Sequence, residues 1–333
     1  MVKPIPARLA VAEESTEPKV AQSVLDLIGD TPLLQITKVA HGLSPGVRIF
    51  AKLEGLNPGG SVKDRPALKM VQEGIKSGEL KEGKTILEST SGNTGIALAL
   101  IGTVLGYPVE LVMPSNVSIE RKRIIAALGA KIVFSDPMEG SDGAIRLCRK
   151  ILLENPEKYF KPDQYFNPTN PQAHYETTGP EIYRQTGGET THFIAGIGTG
   201  GTIMGTGRYL KERNSKIRVI AVEPDDALHG LEGLKHMASS IVPGIYHEEE
   251  LDEKIAVSTE NAYAMVYRLS QEEGILVGQS SGAAMYVALQ IARRLRSGTL
   301  VTVFPDFGDK YLTTNLWVGW RDKMSVGNLN FSI

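Results

Sequence analysis

Cysteine is almost absent from this chain of 333 residues, with Cys148 standing alone. A single thiol excludes an internal disulfide framework and suits a reducing compartment. An excess of either charge is missing too: 36 basic residues face 38 acidic ones, so nothing marks a surface for nucleic acid or another polyanion. No apolar run approaches the length of a membrane span. The first 21 residues are rich in Pro, Glu and Lys and lack an apolar signal core, which predicts a loose arm. His and Cys never cluster with metal-ligand spacing, so no metal is expected. Together these absences predict a soluble, cytoplasmic globular protein with neither membrane nor nucleic acid as partner.

What is present is alternation. Short β-branched runs at 47–54, 85–88, 109–113, 131–135, 192–196, 217–222, 275–278 and 300–305 are separated by longer helical patterns. That order predicts parallel sheets covered on both faces. A polar stretch at 162–171 reads as a connection. The expected fold is therefore α/β, with two open parallel-sheet αβα domains and a cleft between them. The smaller is expected over 48–162, and the larger over 1–47 plus 163–333. Ligands of such folds sit at the carboxyl ends of strands, where glycine-rich loops feed helices.

Four loops compete for that place. Asn57-Pro-Gly-Gly-Ser-Val-Lys-Asp-Arg65 is a tight turn from a strand into a helix, with Ser61 and Asp64 as candidate N-caps. A lysine held there, Lys63, loses solvation; its amine pKa falls and it becomes available for an imine with a carbonyl. Glu88-Ser-Thr-Ser-Gly-Asn-Thr-Gly95 puts hydroxyls, an amide and free N–H groups at a helix start, a cradle for carboxylate or phosphate. Gly196-Ile-Gly-Thr-Gly-Gly-Thr202 can wrap a phosphate with backbone amides. It also matches G-x-G-x-x-G at Gly196, Gly198 and Gly201, with Glu223 at the spacing of a ribose-binding acid, which keeps an NAD(P)-dependent dehydrogenase open as an alternative. Val277-Gly-Gln-Ser-Ser-Gly-Ala-Ala284 carries paired hydroxyls, either of which could be only a helix cap. A fifth match, Gly78-Glu-Leu-Lys-Glu-Gly-Lys-Thr85, has the letters of a nucleoside-triphosphate loop but follows a helix and enters a strand. Its amides cannot crown a helix, and it reads as a surface turn.

Ser61-Val-Lys-Asp-Arg65, Thr90-Ser-Gly-Asn-Thr-Gly95, Gly198-Thr-Gly-Gly-Thr202 and Ser280-Ser-Gly-Ala283 occur in the order and spacing of the cysteine synthase family. Ile28-Gly-Asp-Thr-Pro-Leu33, Gln164-Tyr-Phe-Asn-Pro-Thr-Asn170 and Thr178-Gly-Pro-Glu181 resemble it too, so the likeness runs from about Val24 to Trp317. The resemblance implies a fold type II enzyme with pyridoxal 5'-phosphate as cofactor. It implies that Lys63 carries the cofactor as an internal imine and that Asn93 bonds its phenolic oxygen. Gly198, Thr199, Gly200, Gly201 and Thr202 would hold the phosphate, and Ser280 would meet the pyridine nitrogen. Thr90, Ser91, Gly92 and Thr94, with Gln164, would grip the amino-acid carboxylate while the smaller domain closes over it. The implied reaction is β-replacement: Lys63 removes the α-proton, the β-substituent leaves an α-aminoacrylate, and a sulfur nucleophile adds to give cysteine. A hydroxyl at the pyridine nitrogen makes a weaker electron sink than a carboxylate would, favouring elimination over transamination.

The donor stays open between O-acetylserine and O-phosphoserine. A basic residue at Lys235 resembles the B-type branch, phosphoserine users included, and could set positive charge against a phosphate; it could equally be a solvated loop lysine. The sulfur source is open between sulfide and the thiocarboxylate of a small carrier protein, and a homodimer is implied. Gln279 departs from the isoleucine or glycine usual beside the pyridine contact. A chain ending at Ile333 leaves no room for the regulatory domain pair of many cystathionine β-synthases, although a homocysteine-using member remains an alternative. Cys148 lies in a helical pattern without a nearby His, so a buried structural thiol is expected.

Overall fold

The computed structural model describes residues 20–90 and 92–317. The N-terminal arm over residues 1–19 and Ser91 lie outside the described residues. Ten strands and nine α-helices follow one another there: β1 Leu33–Ile36, β2 Gly46–Leu53, α1 Asp64–Ser77, β3 Thr85–Ser89, α2 Asn93–Leu105, β4 Val109–Pro114, α3 Ile119–Ala127, β5 Lys131–Ser135, α4 Gly140–Glu154, β6 Tyr159–Phe160, α5 Thr169–Glu176, α6 Thr178–Gln185, β7 His192–Gly196, α7 Gly201–Arg213, β8 Arg218–Pro224, β9 Glu253–Val257, α8 Thr259–Arg268, α9 Gln279–Ala292 and β10 Ser297–Phe304. They build two sheets. One has the order β1-β2-β10-β7-β8-β9, the other β5-β4-β3-β6.

Burial on both faces explains why the central strands read as continuous apolar runs. In the six-stranded sheet, Ile194, Ile220, Val222, Leu300 and Phe304 pack toward α8 and α9, where Met265, Val266 and Ala288 meet them. The alternate residues Phe193, Ala195, Val219, Ala221, Val301 and Val303 face α7 through Ile203, Met204 and Leu210. The four-stranded sheet repeats the arrangement. Ile86, Leu111 and Met113 pack on Ile96 and Ile101 of α2, while Leu87 and Val112 pack on Ala144 and Cys148 of α4. Cys148 is fully buried. Burial pushes its thiol up to about 12, with Glu88 adding to the shift, and leaves the cysteine inert.

Three features differ from the sequence reading. The division at residue 48 falls inside β2, which pairs with β10 in the six-stranded sheet. The first strand of the smaller sheet is β3, so the chain passes from one sheet to the other through α1. Edge strand β1 runs antiparallel to β2, with Leu33 opposite Lys52. The apolar run 275–278 forms no sheet strand; Val277 makes only an isolated bridge to Phe307. Among the described residues, no helix is long and apolar enough to cross a membrane. The triphosphate-like letters 78–85 form a turn in which Gly78 caps α1 at φ +77° and Thr85 opens β3.

Candidate active site

Four helices begin at the cleft between the sheets: α1, α2, α7 and α9. At α2, α7 and α9 the capping position is a glycine, Gly92, Gly200 or Gly278, and at none of the four starts does the capping residue's own side chain accept a hydrogen bond. Helix starts present N–H groups and positive potential, which suits an anionic ligand. Lys63, Thr90, Asn93, Thr94, Gln164, Gly198, Thr199, Gly200, Gly201, Thr202, Lys235 and Ser280 all line one cavity there. Gly92 is not in the lining. It turns the chain at φ +144°, where a Cβ would stand 2.2 Å from Arg121 Cδ.

Lys63 sits at the head of α1, half-buried, and Nζ has no hydrogen-bond or ion-pair partner among the described residues. Burial pushes its amine below the ordinary lysine value, with Asp306 and Glu54 opposing in part. Neither expected cap works as a cap. Ser61 Oγ accepts from Lys63 N at 3.2 Å, and the Asp64 carboxylate reaches backward to accept from Gly59 N. Asp64 thereby pins the glycine turn that carries Lys63. Burial raises its carboxyl to about 7, with the Gly59 N–H and Lys310 opposing.

Asn93 is held in one orientation. Its Nδ2 donates to Asp306 Oδ2 at 2.7 Å, and its Oδ1 accepts from Lys310 Nζ at 3.2 Å. The cation fixes the amide oxygen and the carboxylate fixes the nitrogen, leaving one Nδ2 hydrogen for a ligand. Lys310 also donates to Gly59 O and Gly60 O, both at 2.9 Å, so one buried ammonium ties the Lys63 turn to Asn93. Tyr311 OH donates to the same Asp306 oxygen as Asn93. Sequence reasoning assigned no role to Asp306, Lys310 or Tyr311, because they follow β10 with no glycine-rich signature.

The hydroxyl loop is braced from behind. Thr90 Oγ1 accepts from Gly92 N at 2.9 Å and from Gly95 N at 3.3 Å. Thr94 Oγ1 donates to Gln164 Oε1 at 2.8 Å, and Gln164 Nε2 donates to Ser89 O at 2.8 Å. Below them, fully buried Glu88 accepts from Ser89 N and Gln164 N. Lys161 lies 3.6 Å from Glu88. The connection at 162–171 carries Gln164 to the cavity lining, and its end begins α5.

The glycines of the 198–202 loop are required by close approach. A Cβ on Gly198 would stand 2.2 Å from Gly233 O, and one on Gly201 would stand 1.9 Å from Asn170 Oδ1. Gly200 has φ +87°. Thr199 Oγ1 accepts from Asn170 Nδ2 at 3.1 Å, and Thr202 Oγ1 lies 3.3 Å from His174 Nε2. Burial and the nearby Arg65 cation push His174 down to about 3, so it stays neutral at this loop. Neither Ser280 nor Ser281 caps α9, whose capping position is Gly278. Lys235 lines the cavity, but its ammonium is 2.8 Å from Asp142 Oδ1.

Residues 24–306 match the family described as pyridoxal-phosphate dependent enzymes. A cysteine synthase of Aquifex aeolicus is 54% identical over 314 residues, covering 92% of this chain and 96% of that protein. The chain belongs to the cysteine synthase family. Among solved structures, a cysteine synthase of Entamoeba histolytica has a TM-score of 0.86 and 38% identity, covering 93% of this chain and 94% of that one. An O-acetylserine dependent cystathionine beta-synthase of Helicobacter pylori has a TM-score of 0.85 and 38% identity, covering 90% and 100%.

Like its family, this chain is a pyridoxal-phosphate-dependent enzyme, and its residues fit that cofactor. The 198–202 loop has no room for a side chain at Gly198 or Gly201, Lys63 Nζ has no competing partner among the described residues, and Asn93 keeps one free N–H. The dehydrogenase alternative falls with the family. Glu223 is engaged elsewhere, accepting from Met237 N at 3.1 Å and pairing with Lys254 at 3.3 Å. Gly198→Ala forces the loop away from Gly233 O. Affinity for pyridoxal phosphate is expected to fall on the order of a hundredfold, as read by titrating cofactor into apoprotein. Unchanged affinity would show that the loop is not the phosphate cradle.

Proposed function

We propose that this chain is a cysteine synthase that replaces the β-substituent of an activated serine by sulfur. The observation that carries this reading is the convergence on one cavity of Lys63, Asn93, the 198–202 loop, Ser280 and the Thr90–Thr94–Gln164 cluster. Lys63 is the attachment point, Asn93 and Ser280 hold the ring, and Gly198 to Thr202 hold the phosphate. Bound pyridoxal phosphate withdraws electrons from the substrate's α-carbon, which acidifies its proton and lets the β-substituent leave.

This chain's own residues do the rest. Lys63 Nζ, whose pKa burial lowers, is the base that takes the α-proton and later returns it. Thr90 and Thr94 at the α2 start, with the Gln164 amide, bind the substrate carboxylate and orient the α-hydrogen toward Lys63. The body carrying β3 to β6 closes on that carboxylate and excludes water. The reading includes a homodimer in the cytoplasm. Its sulfur donor is sulfide or the thiocarboxylate of a small carrier protein.

The test is direct. Purified protein given pyridoxal phosphate should turn yellow and convert O-acetylserine plus sulfide to cysteine. Homocysteine as acceptor, giving cystathionine, is the second reading, favoured by the Helicobacter neighbour; the product identifies which acceptor is used. A protein that stays colourless with excess cofactor, or forms neither product from either serine ester, overturns the proposal.

A further inference from the structure

Once the cofactor cradle and the carboxylate grip are assigned, one wall of the cavity remains for the serine β-substituent. Its polar lining is Arg121, Ser141, Tyr165, Glu232 and Lys235. Two ion pairs cross the cleft at this wall. Arg121 of α3 bonds Glu232, and Lys235 Nζ bonds Asp142 Oδ1 of α4 at 2.8 Å. Asp142 also accepts from Ile241 N at 2.9 Å through its other oxygen, so the carboxylate is clasped by the loop that carries Lys235. Lys235 itself is 5% exposed, with its ammonium 5.2 Å from the Tyr165 ring centroid. Burial alone would raise the Asp142 carboxyl. The Lys235 and Ile241 hydrogen bonds and the charges of Lys235 and Arg146 outweigh it, and the carboxyl is held below its ordinary value.

The charges at this wall thus cancel in pairs. A phosphate ester brings close to two negative charges at neutral pH, whereas an acetyl ester brings none. A phosphate reaching Lys235 would also meet the Asp142 carboxylate, and in a cleft shielded from water that repulsion is strong. Resting on the cysteine synthase reading, we propose that Asp142 is a specificity-determining residue. It keeps Lys235 paired, so the leaving-group wall is electrically neutral and selects a serine activated by an uncharged acyl ester over one activated by phosphate. The lysine that sequence suggests as a phosphate anchor is restrained by a partner 93 residues away in the chain.

The experiment compares the cofactor-loaded wild type, Asp142→Asn and Asp142→Asn/Lys235→Met. For each, kcat/KM is measured with O-acetylserine and with O-phosphoserine, sulfide being the acceptor. The ratio of phosphoserine to acetylserine is expected to rise about tenfold or more in Asp142→Asn and to return toward the wild-type value in the double variant. A ratio that stays within twofold while both donors lose rate together would overturn the proposal, making the pair a latch without selectivity. So would a wild type that already prefers phosphoserine. Calorimetry on Lys63→Ala, with and without Asp142→Asn, gives a reading independent of turnover. O-phosphoserine should bind about tenfold tighter when Asp142 is neutralised, and equal affinities overturn the charge argument. Absence of turnover with both esters in the wild type defeats the cysteine synthase reading, and with it the selectivity it carries. If Asp142→Asn does not fold, Asp142→Ser removes the same charge.

Discussion

Lys63→Ala is expected to stop turnover, lowering cysteine formation by roughly a thousandfold or more. The size follows from the two roles proposed for one nitrogen: attachment of the cofactor and transfer of the α-proton. No neighbour can take over. Lys310, a buried amine that follows β10 and packs on the Lys63 turn, has its Nζ engaged by Gly59 O, Gly60 O and Asn93 Oδ1. Lys235 is paired with Asp142. Lys63→Arg should be equally inactive, because a guanidinium keeps its charge at any working pH and cannot serve as this base. The loss should not come from unfolding. Lys63 makes no side-chain hydrogen bond or ion pair among the described residues, so thermal unfolding should move little. Borohydride reduction followed by peptide mass analysis should place the cofactor on residue 63 in the wild type and on no residue in the variant. Added small primary amines should restore part of the rate. Activity within tenfold of wild type would exclude Lys63 as the base.

The parts of this site that sequence made legible are those whose chemistry demands rare local patterns. Positions whose Cβ would collide with Gly233 O and Asn170 must be glycine, so the 198–202 loop is visible as Gly-Thr-Gly-Gly-Thr. Lys63 and Asn93 are visible because strand, turn and helix follow within a few residues. What supports them is not local. Asp306 and Lys310 reach Asn93 across more than 200 residues, and Asp142 reaches Lys235 across 93. No periodicity encodes such pairings. The fold divides the same way. Alternating strands and helices were readable, but a short apolar run such as 275–278 signals burial without naming a hydrogen-bonding partner, and it forms no strand. The sheet membership of β2 was unreadable for the same reason: its partner, β10, lies some 250 residues further along the chain.

Arg65→Met is expected to cost about 3–5 kcal/mol of stability, because it leaves the buried Glu54 carboxylate without its cation and takes one of two cations from Glu181. Arg65 Nε and Nη2 donate to Glu54 at 2.7 and 2.8 Å, and Nη1 and Nη2 donate to Glu181 at 2.6 and 2.7 Å. Lys52 pairs with Glu181 at 2.6 Å, and Thr31 Oγ1 donates to Glu54 at 2.6 Å. Two cations and two anions thus form a neutral buried knot joining β2, the turn after it, α1 and α6. Burial alone would raise the Glu54 carboxyl. The Arg65 charge and hydrogen bonds, with help from Thr31 and Lys52, outweigh it and hold the carboxyl at about 2 against an ordinary 4.5. A depressed carboxylate contributes stability that is full above its unfolded pKa and lost as pH falls through the folded one. In the wild type, about 3 kcal/mol from Glu54 should therefore disappear between about pH 4.5 and 2. Without Arg65, burial acts on Glu54 with Lys52 and the Thr31 and Asn57 hydrogen bonds opposing, and its pKa should move above the ordinary value. The sign then reverses: across the range between the unfolded and the raised folded value, the variant should lose stability as pH rises. Urea midpoints measured from about pH 2 to 7 test both parts. A midpoint close to wild type at pH 7, or the same pH slope in both proteins, would mean that the knot contributes little. Because Arg65 lies two residues from Lys63, the same substitution should loosen the head of α1, and cofactor affinity should fall with stability.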